Sequence, residues 1–94
     1  LAAYIIADVE ITNPTQYDEY RKWSNAALSA HGVEILARGG KTERLEGRDP
    51  GRIVLLAFAS FEAARSFYDS SEYGRARAAR EGAAIMNMLI VEGV

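Results

Sequence analysis

Apolar and polar positions change period several times along the chain. From Ala2 to Glu10 the run is rich in Ile and Val and too short for an ordinary helix, which predicts a first strand. Alternation puts Ala3, Ile5, Ala7 and Val9 on one face and Tyr4, Ile6, Asp8 and Glu10 on the other. The small first set suits a face covered by helices. The second mixes apolar and acidic groups, so Asp8 must reach solvent or find a partner. After Thr12 the spacing lengthens to that of a helix. Tyr17, Tyr20, Trp23, Ala27, Leu28 and Ala30 form one stripe, with Asp18, Glu19, Arg21, Lys22 and Asn25 turned to water. Asn13 is placed to cap this helix, Pro14 suits its first position, and Gln16 stands where a capping box wants it. The helix runs to about Ala30, and His31-Gly32 closes it.

Val33 to Ala37 predicts a second strand, interrupted by Gly39-Gly40 and continued over Lys41 to Glu46. Arg48-Asp49-Pro50-Gly51 is a turn. Arg52 to Ala59 is a third strand. Its unbroken run Ile53-Val54-Leu55-Leu56-Ala57-Phe58 implies burial on both faces. Ser60 starts a second helix with Phe61, Ala64, Phe67 and Tyr68 inward. Asp69-Ser70-Ser71 breaks it, and Ser70 or Ser71 caps a further helical piece from Glu72 to about Gly82. Ile85 to Val91 is the last strand. The order β-α-β-β-α-β predicts an α+β fold, a ferredoxin-like plait occupying residues 1–94 as one domain. Its four-stranded antiparallel sheet carries helices on one face. Ile6, the third strand and Ile85-Met86-Asn87-Met88-Leu89-Ile90 leave the other face too apolar for water, which predicts a second copy packed sheet to sheet.

Composition narrows the partners. At 94 residues the chain is small enough to gain from oligomerisation. A net charge of −2, with both signs interspersed, gives no basis for binding nucleic acid or an anionic membrane. The lack of cysteine rules out disulfides, thiolate catalysis and cysteine-based zinc sites, and fits a reducing cytoplasm. No stretch is long enough to span a bilayer. Leu1 to Ala7 lacks a basic flank and meets Asp8 too soon for a signal peptide. The missing initiator Met is expected of a trimmed or partial chain.

Many of these residues also stand in a familiar order. They are Tyr17 and Tyr20 after an Asn-Pro helix start, Arg38-Gly39-Gly40, Leu45-Glu46-Gly47, Arg52-Ile53-Val54 and Phe58-Ala59-Ser60. Ala63-Ala64, Phe67-Tyr68, Ser70-Ser71-Glu72-Tyr73, Arg80 and Val91-Glu92-Gly93 follow. The ordered set resembles domain-of-unknown-function family 1330, of the dimeric α+β barrel superfamily, over nearly the whole chain. The resemblance implies a ferredoxin-like protomer and a homodimer whose sheets form a barrel. Elsewhere that superfamily includes cofactor-independent monooxygenases, haem-degrading enzymes, muconolactone isomerases and chlorite dismutases. One departure from the family pattern is Phe58-Ala59-Ser60, where a proline usually stands in the middle.

Ala37-Arg38-Gly39-Gly40-Lys41 is the stretch with the most chemistry. A guanidinium in an apolar strand needs a partner. Arg38 either binds a carboxylate, enolate or phosphate between sheet and first helix, or pairs with Asp8, Glu10 or Glu92 to fix sheet or dimer geometry. The glycines read as a bulge that curves the strand and lets the hairpin arm reach the other subunit; they lack the spacing of a nucleotide loop. His31 is the one histidine, so an imidazole base must be His31, though its position at a helix end also suits capping. One His without Cys argues against a transition-metal site. Tyr17, Tyr20, Trp23, Tyr68 and Tyr73 either pack the core or line a pocket with their hydroxyls. Asn87, inside an apolar strand, faces a ligand or the dimer barrel. The serines are simplest as helix caps, and Arg75, Arg77 and Arg80 as a solvated face.

The expectation is a homodimer holding a small anionic or aromatic molecule. Arg38 is its anchor, Tyr20, Trp23 and Tyr68 its walls, and Asn87 or His31 a polar contact. With no metal or flavin motif, an enzymatic version would be a cofactor-independent isomerase or monooxygenase, with His31 and Arg38 as candidate catalytic residues. The alternative is a non-catalytic sensor, accessory or structural dimer, with no enclosed pocket and with Arg38 in an interface salt bridge.

Overall fold

The computed structural model describes all residues, 1–94. The elements are β1 (Ala3–Ile11), α1 (Pro14–Ala30), β2 (Glu34–Arg38), β3 (Arg52–Phe58), α2 (Phe61–Asp69), α3 (Ser71–Ala79) and β4 (Ala84–Glu92). The sheet order is β2-β3-β1-β4, with every neighbouring pair antiparallel. This is the ferredoxin-like plait, with β1 at the centre of the sheet.

Strand β1 obeys the alternation read from its sequence. Ala3, Ile5, Ala7 and Val9 are buried, and Ile5, Ala7 and Val9 join one core cluster with Tyr17, Tyr20, Ala27 and Leu28 of α1, Phe67 of α2 and Tyr73 of α3. Small β1 side chains let the large rings of the helices come close to the sheet. Phe67 and Tyr73 lie 5.0 Å apart, as do Tyr17 and Tyr20, and Tyr20 meets Tyr73 edge-on at 6.3 Å. Ala30, expected in the stripe, is exposed, although Ala27 and Leu28 of the same last turn are buried.

The caps are as expected, with one exception. The Asn13 side chain accepts from the Gln16 N–H at 3.1 Å, and Ser60 accepts from the Ala63 N–H at 3.0 Å. Ser70 ends α2 and caps α3, accepting from the Tyr73 N–H at 3.2 Å. Gln16 does not complete a capping box. Its amide donates to Glu81 O at 2.7 Å and Ala79 O at 3.2 Å, tying the start of α1 to the end of α3. Helix α3 stops at Ala79, short of the expected Gly82.

Strand 2 departs further from expectation. It ends at Arg38, and Lys41 to Glu46 forms no strand. That segment alternates charge and Thr with a single Leu, so neither of its faces has apolar area to bury. The bulge falls between Ile35 and Ala37, ahead of the glycines. It inverts parity: Ile35 pairs with Leu56, and Arg38, three residues on, pairs with Val54 on the same side of the sheet. Val54 pairs with the buried Ala7, so Arg38 lies on the helix-covered side. The Gly39 N–H then donates to Ile53 O at 2.8 Å.

The opposite face bears Ile6, Leu55 and Leu89 in adjacent registered positions, flanked by Ile53, Ile85 and Val91. Ile85, Leu89 and Val91 are 61%, 51% and 42% exposed. Asp8, also on this side, finds its partner in the Gly51 N–H, which donates to it at 2.9 Å. No helix is long and apolar enough to cross a membrane.

Candidate functional site

Helix α1 does not lie flat on the sheet over its whole length. Toward the open ends of β2 and β3 it leaves a cavity of about 50 Å³. Val54, Leu56, Met86 and Met88 form the sheet side, and Tyr17, Tyr20 and Tyr73 the helix side. Arg21, Arg38 and Arg52 also line it, with Ser24 and Asn25; no carboxylate does.

Each arginine arrives by a different route. Arg21 comes from α1, one turn after Tyr17, and its only acidic neighbour is the exposed Asp18 at 3.6 Å. Arg38 is turned inward by the bulge and donates to Asn25 Oδ1 at 3.1 Å. Within the chain it makes no ion pair with Asp8, Glu10 or Glu92, and parity keeps it off the face that carries Asp8 and Glu10. Arg52 begins β3 opposite Val9, with no ion pair and no side-chain hydrogen bond. Its guanidinium lies over Gly39, where a Cβ would stand 2.8 Å from Arg52 Nε. Gly39 has φ 67°, so this glycine serves both the chain turn and the space for Arg52.

The tyrosines supply the polar interior. Tyr20 and Tyr73 hydroxyls are hydrogen-bonded at 2.8 Å, and the Tyr73 hydroxyl also lies 3.9 Å from Met88 Sδ. Burial pushes the Tyr73 phenol well above its ordinary value, with the neighbouring Tyr20 adding to it. Burial raises Tyr17 as well, against the opposing fields of Arg52, Arg21 and Arg80. Tyr17 is 2% exposed, and no group of the chain hydrogen-bonds its hydroxyl. Both phenols therefore stay protonated near neutrality and act as donors.

Of the residues picked out in the sequence, the cavity unites Arg38 and Tyr20. His31 lies at the far end of α1. Its Nε2 is 2.7 Å from Glu72 Oε1, its ring packs edge-on against Phe67, and it lines an open groove beside Phe58. Hydrogen bonds from His31 and Ser71 hold the Glu72 carboxyl below its usual range. Trp23 sits on the flank of α1, donating to Glu19 Oε1 at 3.2 Å. Tyr68 lies in a separate groove with Phe61 and Leu89, under the guanidinium of Arg77 at 4.5 Å. Asn87 is on the outer sheet face, paired in register with Asp8. Of the arginines expected on a solvated face, Arg75 is exposed beside Trp23, but Arg77 and Arg80 are half-buried, stacked on Tyr68 and Tyr20 with their Nε atoms buried. Arg21, Arg52 and Tyr17 were not legible as a set. Tyr17, Arg21, Asn25 and Leu28 share helical spacing, but Arg21 and Asn25 border the stripe, and their polarity placed them with the solvent side.

The chain belongs to the family described as domain of unknown function DUF1330, which it matches over residues 2–94. No curated protein matches the sequence. Similar solved structures include a protein of unknown function from Rhodopseudomonas palustris, with TM-score 0.76, 14% identity, and coverage of 99% of this chain and 82% of that one. A dimeric ferredoxin-like protein of unknown function from Jannaschia sp. CCS1 has TM-score 0.75 and 11% identity over 99% of this chain and all of that one (100%). SnoaB, a cofactor-independent oxygenase from Streptomyces nogalater, has TM-score 0.69 and 7% identity over 99% and 93%. At these identities the likeness is one of fold.

Proposed function

We propose that this protein is a homodimer that binds a small organic anion in the cavity beneath α1. The observation that carries the reading is the donor set: Arg21, Arg38 and Arg52 line one cavity that no carboxylate lines, and only Arg21 has an ion-pair partner, the exposed Asp18 outside it. Bringing several guanidiniums together is unfavourable unless an anion joins them, and the planar forks suit a carboxylate. The apolar sheet side and the tyrosines accept the rest of a small ligand. Of the two functional classes, binding is better supported than proton-abstracting catalysis. A general base needs to ionise near neutrality, the cavity's phenols are pushed up, and His31 is outside it. A cofactor-independent isomerisation or oxygenation would have to draw its base from the substrate itself or from a second subunit.

Dimerisation is supported by the uncovered apolar face of Ile6, Leu55 and Leu89. Fold neighbours from Jannaschia and from Bacteroides fragilis are described as dimeric. Packing two such faces together buries apolar area that a single chain leaves wet.

Arg38→Ala and Arg52→Ala test the site. Each removes a charge-assisted contact, so affinity for a bound carboxylate falls by about tenfold or more. Unchanged affinity in calorimetric titration of both variants overturns the reading. Because Arg38 bonds to Asn25 of its own chain, Arg38→Ala leaves the dimer intact by light scattering. Loss of the dimer would favour the structural alternative.

A further inference from the structure

The cavity under α1 also limits what its anion can be. Resting on the anion-site reading, we propose that the ligand is a short 2-oxo or 2-hydroxy acid, with an acceptor oxygen next to its carboxylate and no ammonium group.

Two observations lead there. The first is size. At roughly 10–15 Å³ of such volume for each water-sized group, a cavity of about 50 Å³ seats only a handful of heavy-atom groups. An acid of about two to four carbons fits that space, whereas a fused aromatic does not. Arg21 and Arg38 are exposed and can follow a small ligand inward, but Tyr17, Tyr73 and Leu56 are buried in the core and cannot swing aside.

The second is the balance of donors and acceptors. Three guanidiniums and the Tyr17 hydroxyl offer protons to the cavity. Asn25 Oδ1 is already taken by Arg38, and Tyr20 is committed to Tyr73. The Tyr17 ring is buried, no group of the chain hydrogen-bonds its hydroxyl, and that hydroxyl is therefore free to donate to an oxygen of a ligand in the cavity. A carboxylate satisfies the arginines, and an adjacent carbonyl or hydroxyl oxygen satisfies Tyr17. An amino acid of the same size would place an ammonium among three guanidiniums with no carboxylate to receive it.

The test is titration calorimetry of the intact protein with pyruvate, propionate, alanine, naphthoate and inorganic phosphate. Pyruvate is expected to bind, with propionate several-fold weaker and alanine about tenfold weaker or worse. Naphthoate is expected not to bind. Tyr17→Phe keeps the ring and its packing, so it should lower pyruvate affinity to that of propionate while leaving propionate unchanged. If naphthoate binds as well as pyruvate and Arg38→Ala abolishes both, the size limit is wrong and the anion site stands. Equal binding of alanine and pyruvate, or no effect of Tyr17→Phe, overturns the acceptor argument. If none of the five binds, the anion site itself fails.

Discussion

Tyr73 shows how one side chain links packing to chemistry. Its ring fills the space between α1, α2 and the sheet, and its hydroxyl joins Tyr20 to Met88. The raised phenol gives it a pH dependence with a definite sign. A group that ionises at higher pH folded than unfolded contributes its full stability below the unfolded value, here 10.0, and loses it as pH climbs above. Thermal melts of the wild type should therefore fall steeply above pH 10, where an unfolded tyrosine begins to ionise. Tyr73→Phe should cost about 1 kcal/mol at neutral pH for the lost hydrogen bond, yet decline less on the alkaline side. Parallel alkaline declines in the two proteins would show that the phenol's environment contributes no such slope.

The β2–β3 hairpin is the element that builds the site. One bulged residue, Leu36, turns Arg38 to the helix side, and Gly39 then makes room for Arg52. The two glycines are not equivalent. A Cβ at Gly39 meets Arg52 and a positive φ, while a Cβ at Gly40 meets nothing within 4 Å. Gly39→Ala should lose about 1–2 kcal/mol of stability and weaken carboxylate binding, because Arg52 must shift. Gly40→Ala should change neither. Denaturant unfolding and ligand titration of the pair decide it, and equal behaviour of the two would remove Gly39 from the site. The sequence marks both glycines as a strand device, but the bulge falls ahead of them, at Leu36, and depends on how β2 registers against β3. Pairing across a hairpin is not contained in the spacing of one strand.

At the scale of the molecule, helices cover one side of the sheet and leave the other uncovered. Leu89 lies at the middle of that open side, in register with Ile6, which in turn faces Leu55. Leu89→Lys places a charge where two copies would meet and removes nothing from the helix-side core, since Leu89 is 51% exposed in the single chain. The variant is expected to fold, with unchanged far-ultraviolet circular dichroism, and to run as a monomer in size-exclusion chromatography with light scattering. A folded variant that stays dimeric would move the interface elsewhere.

What the sequence alone determined is what repeats locally. Period-two alternation placed Ala3, Ile5, Ala7 and Val9 inward, helical spacing placed Tyr17, Tyr20, Ala27 and Leu28 above them, and caps at Asn13, Ser60 and Ser70 set the helix starts. From these the β-α-β-β-α-β plait follows, since each element states its own period and its own buried face. The tertiary structure alone decided which charges meet. Arg21, Arg38 and Arg52 lie far apart in the chain and come to one cavity through a helix face, a bulge and a strand register. His31, by contrast, is carried away to Glu72. A charged side chain has no period of its own, so its partners are set by pairing and packing between elements distant in sequence.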